Sequence, residues 1–269
     1  MRQADFDGMA PSVQRPSRAL GLVLLAIVAI WLAFAVAVNW ASASLDAFLL
    51  LVGNTSRLAQ GELWRLVTAP LMHSPEGSAG VNHVLSTVVG LFFLAPALEA
   101  QWGTARLLRF LAICSLFAYA TQWCIALALP PAAVQRLVPT YWFGAVPALE
   151  AVAVAFALSL KNRNVLLFFV LPIGSRGLLV GTIGLSVALV AADAIGPSGA
   201  IAPFAGMLAG WWFGGGTPSP ARRWWLRLRL RRLESEARAD REARVRLAKR
   251  RFEVLPGGRQ TDRSDRNLH

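Results

Sequence analysis

Six apolar segments constrain this chain more than anything else in it. They run Ala19–Trp40, Val81–Leu98, Leu107–Leu129, Tyr141–Leu160, Gly177–Ile195 and Ala200–Gly215. A helix needs about 20 apolar residues to cross a hydrocarbon core roughly 30 Å thick. Helices also satisfy their backbone polar groups internally, as lipid demands. The pattern predicts an all-α polytopic membrane bundle of six transmembrane helices. The fourth and sixth segments are short and rich in Gly and Ala, as expected of helices enclosed by others. The first exceeds the 7–15 apolar residues of a cleaved signal peptide and reads as a retained span. The apolar stretch 164–172 is too short to cross and reads as an interfacial connector. Only 16% of residues are charged, against about 25% in soluble domains.

Charge then sets orientation. The net charge is +12, and 16 of the 27 Lys and Arg lie between Arg222 and Arg266. A pI near 11.4 would suit nucleic-acid binding, but a basic block following apolar spans fits the positive-inside rule instead. With the N-terminus cytoplasmic, 24 of the 27 basic residues fall inside and only Arg57, Arg65 and Arg136 outside. The chain thus divides into a cytoplasmic segment 1–18, a membrane domain 19–216 and a basic cytoplasmic tail 217–269. In the tail, Trp225, Leu226, Leu230, Leu233, Ala237, Val245 and Leu247 predict an amphipathic helix, and a disordered polar remainder follows Gly258. Its simplest use is as an anchor on anionic membrane lipid; a partner-binding helix is the alternative. Arginine outnumbers lysine 25 to 2, which points to a bacterial genome and so to the bacterial inner membrane. Cys114 and Cys124 stand about 15 Å apart on one helix, beyond the roughly 7 Å of a disulfide, and read as core fillers.

Motifs punctuate the spans. The outer loop carries Glu62-Leu63-Trp64-Arg65; His83 opens the second span, Leu98-Glu99 closes it, and Gly103 with Arg106 begins the third. Phe143-Gly144-Ala145 opens the fourth, and Gly206, Gly210 and Gly214 recur every four residues in the sixth, a spacing that lets helix backbones approach closely. In order and topology these resemble the rhomboid family of intramembrane serine proteases over residues 19–214. The resemblance implies a Gly-x-Ser-Gly opening the fourth helix, a His ahead of the glycines of the sixth, and an oxyanion-binding His-x-x-x-Asn in the second. This chain has Gly144-Ala145-Val146-Pro147, Pro203, and His83-Val84-Leu85-Ser86-Thr87 at those places. Val146 offers no nucleophile and Pro203 no base, so acyl transfer lacks both of its partners; only His83 of the oxyanion element remains.

No spacing supports His83 acting on a displaced Ser86 or Ser198. His73, Glu76 and His83 lack the spacing of a zinc site, so His73 reads as a solvated loop residue, and no metal or cofactor is expected. Glu150 lies one turn beyond Val146, and a carboxyl inside the membrane marks function or a hydrogen-bonded neighbour. Glu99, with Arg106 nearby, reads as a cap or ion pair at the membrane edge. The expected function is a dyad-less rhomboid-like protein that binds transmembrane segments of client proteins in quality control, trafficking or stabilisation. Trp64, Arg65, His83, Gly144, Glu150, Gly206 and Gly210 are its candidate binding residues. The alternatives are an active intramembrane serine endopeptidase with a displaced dyad, and a membrane scaffold working through its basic tail. Expected partners are membrane lipids and transmembrane clients, not nucleic acid; the oligomeric state stays open.

Overall fold

In a computed structural model the chain is described over residues 15–160, 164–167, 171–216 and 218–251. The polar remainder after Gly258 lies outside these residues, as does His269. The chain separates into two compact units, residues 1–222 and 223–269.

The first unit is a bundle of six apolar helices. Three are long enough to cross a membrane: α1 (Arg18–Asn39), α5 (Gly77–Trp102) and α6 (Thr104–Ala128). Between α1 and α5 the long loop folds into three short helices, α2 (Asp46–Leu51), α3 (Thr55–Ala59) and α4 (Arg65–Thr68), closed by a 3-10 turn at Ala69–Leu71. The short helix α7 (Pro131–Leu137) leads to α8 (Val146–Ser159); α9 (Ser175–Ala191) and α10 (Ile201–Gly214) complete the bundle. At the expected connector, β1 (Asn164–Leu167) and β2 (Leu171–Gly174) form an antiparallel pair, with Asn164 opposite Gly174.

At 14 residues, α8 and α10 are about 21 Å long, short of a full hydrocarbon core. Longer neighbours enclose α8: nine of its residues are buried, among them Ala148, Ala151, Val152, Ala155 and Phe156. Leu91, Ala95 and Leu98 of α5 and Leu107 and Cys114 of α6 share its core, and Leu20 and Leu24 of α1 join the same cluster from the far side of α5 and α6. The glycines of α10 make the closest contact. Gly206 lies against the Pro147 main chain, Gly210 against that of Ala151, and Gly214 against the Ala155 side chain. Pro147, Ala151 and Ala155 are themselves four apart, so two rows of small residues interlock.

One expectation is narrowed at this level and another changes. Of the two roles expected of Glu99, the structure shows the cap and not the ion pair: its Oε2 accepts the Ser17 amide at 3.0 Å at the start of α1, while the Arg106 guanidinium lies 4.9 Å over the Trp102 ring. Cys114 is buried as expected, but Cys124 is exposed, facing outward rather than filling the core. Gly103, at φ +82°, makes the abrupt turn from α5 to α6, where a side chain would be strained.

The second unit contains most of α11 (Pro220–Arg251), a continuous helix. Its amphipathic character is weak. Leu226, Leu228 and Leu230 alternate with Arg227, Arg229 and Arg231, and a spacing of two scatters residues around a helix rather than lining one face. Its leucines and tryptophans are exposed.

Candidate functional site

The site is built on the five residues before α8. Tyr141 to Ala145 are as apolar as the helix they precede, yet they are not helical. Trp142 pairs with Gly53 of the long loop through both main-chain hydrogen bonds, 2.8 and 2.9 Å. Phe143 N–H donates to the Pro197 carbonyl, and Gly144 N–H to the Ala69 carbonyl. The Gly144 carbonyl accepts the Tyr119 hydroxyl at 2.6 Å, and the Tyr119 ring stacks on the fully buried Trp142. With Gly144 at φ +107°, the chain turns sharply and α8 starts only at Val146, five residues later than its composition predicts.

The long loop is braced by the residues that looked like binding groups. The buried Arg65 guanidinium pairs with Glu62 and donates to the carbonyls of Leu49 and Val52. Thr68 donates to the Leu51 carbonyl, and the half-exposed Trp64 donates its indole N–H to that of Leu50. Arg65 thus holds the loop together from inside.

Beneath the loop two imidazoles meet. His73 is 1% exposed and lies 4.7 Å, ring to ring, from His83, which also packs against Phe143 and Gly144. The reading of His73 as a solvated loop residue is corrected here: the folded loop buries it. Burial lowers its pKa from 6.5 to about 4; the Leu71 main-chain oxygen opposes this without reaching hydrogen-bond geometry. All four ring nitrogens of the pair are buried without a hydrogen-bond partner among the described residues. Ser86 and Thr87 spend their hydroxyls on the His83 carbonyl, at 3.1 and 2.9 Å. No described serine, threonine or cysteine therefore donates to either ring. Groups of three or more metal-ligating side chains are also absent among the described residues.

On α10, Pro203 lies one turn ahead of Gly206, which sits on Pro147. Val146 and Pro203 therefore occupy the same, N-terminal end of the α8–α10 contact. On α8, Val146 and Glu150 fall one turn apart on one face, and Glu150 Oε1 accepts the Ser186 hydroxyl of α9 at 3.4 Å. Ser186 is the one buried residue of α9. The helix packs on α8, touches α10 lightly and makes no comparable interface with α5. Ser186, Tyr119 and Trp142 were not singled out from the sequence; a polar residue inside an otherwise apolar span was the available signal for the first two.

A family model described as "Rhomboid domain" matches residues 60–217. "Putative rhomboid protease YdcA" of Bacillus subtilis (strain 168) is 45% identical over 51 residues. That match spans 19% of this chain and 23% of the relative's length.

Proposed function

This chain belongs to the rhomboid family, and from that premise we propose that it is a pseudoprotease, an integral membrane protein that binds transmembrane segments without cutting them. One observation carries the reading: no described hydroxyl or thiol is hydrogen-bonded to an imidazole, and the places where the resemblance puts nucleophile and base hold Val146 and Pro203. Acyl transfer by serine requires that contact. Binding is supported by the packing of α9. Its weak interface with α5 leaves an approach within the membrane plane to the Val146–Glu150 face of α8.

The protein sits in a bacterial inner membrane with both termini cytoplasmic, and its basic tail adds attraction to anionic lipid. A serine-directed fluorophosphonate probe tests the pseudoprotease reading. Purified protein stays unlabelled while an active rhomboid protease labels in parallel; labelling at any serine of this chain restores the enzyme reading with a displaced dyad.

A further inference from the structure

Glu150 is the residue that the bundle packing leaves least explained. It is the one carboxyl in α8, α9 and α10, and its neighbours on α8 are alanine, valine, leucine and phenylalanine. A carboxyl in such surroundings needs partners, and the structure gives it a single long contact, from Ser186. It is not fully enclosed: the side chain is partly exposed, on the α8 face that α9 packs against. Ser186 is the one buried residue of that helix, and Leu178, near its other end, packs against the main core.

A side chain arriving between α5 and α9 would therefore meet a carboxyl with accepting capacity to spare, in a low-dielectric wall where charge-assisted contacts are strongest. A cation is the best complement. Lysine and arginine also carry long apolar stems that cross a narrow hydrophobic gap. On the reading that this protein binds transmembrane segments, we infer that Glu150 selects client helices carrying one lysine or arginine at the membrane depth of Glu150 itself, in the half nearer the start of α8. Charged residues inside membranes pair with one another rather than face lipid, so such a client would gain from this carboxyl what lipid cannot give it. Ser186 then acts as a stand-in donor that the client's cation displaces.

The test uses full-length protein in phosphatidylcholine vesicles and synthetic Leu/Ala transmembrane peptides with a single guest residue, with affinity read by energy transfer. At the depth of Glu150, the Lys peptide binds wild type about tenfold tighter than the Leu peptide. Glu150→Gln, which keeps shape and hydrogen-bonding capacity, reduces that preference to about twofold or less. A Lys peptide with its guest near the opposite end gains nothing. The inference is overturned if the Lys preference persists in Glu150→Gln, if a Gln guest binds as tightly as Lys, or if depth makes no difference. Capture of no peptide at all overturns the client-binding reading itself, and the inference with it.

Discussion

A methyl group added at position 144 would land on the His83 ring, and the backbone there already has φ +107°. Both penalties fall on one atom, so Gly144→Ala is expected to cost about 2 kcal/mol or more of stability in detergent, from strain and overpacking together. Thermal unfolding measures it, and the double variant with His83→Ala recovers the steric part only. The neighbouring His73 makes a pH prediction. Its pKa falls from 6.5 unfolded to about 4 folded, so the unfolded chain binds the extra proton between those values. Stability from this group is complete above about pH 6.5 and is lost as pH falls toward 4, by an amount on the order of 3 kcal/mol. Denaturant midpoints across that range show the slope, and His73→Asn shallows it; an unchanged slope would place the titration elsewhere.

Between helices, the controlling quantity is how closely backbones approach. Gly210 rests on the Ala151 main chain, whereas Gly181 of α9 has nothing within 4 Å of where a Cβ would stand. Gly210→Ala should therefore destabilise by about 1–3 kcal/mol through overpacking. Gly181→Ala should be neutral or gain up to about 1 kcal/mol from helix propensity. Equal effects at the two sites would mean that α8 and α10 are not interlocked as described. The glycine row was legible from sequence, because spacing alone reports a close helix contact; the row of small residues it meets on α8 was not. The start of α8 was not. Tyr141–Ala145 resemble their helix in composition, and what holds them out of it are Gly53, Ala69 and Pro197, remote in sequence. His73 was misread for a similar reason: a polar residue in a loop looks solvated until the loop itself folds over it. The partner of Glu99 on α1, 82 residues upstream, carries no local signal either.

For the molecule as a whole, apolar run length carried most of the fold, since lipid leaves a chain few ways to satisfy its backbone. The basic bias sets the expected orientation. Reporter fusions after Gly216 and within the Ser74–Gly80 loop are expected to report opposite sides of the membrane, the first cytoplasmic; the same side at both would break the six-span topology. The central claim is that a site of protease descent holds transmembrane segments intact. Its most direct measurement is a photo-crosslinking amino acid at Val146, activated in the native membrane, with the captured partners sized by mass spectrometry. The account predicts crosslinks to uncut transmembrane segments. Partners recovered as fragments cleaved within their spans, or no membrane-spanning partner at all, would contradict it.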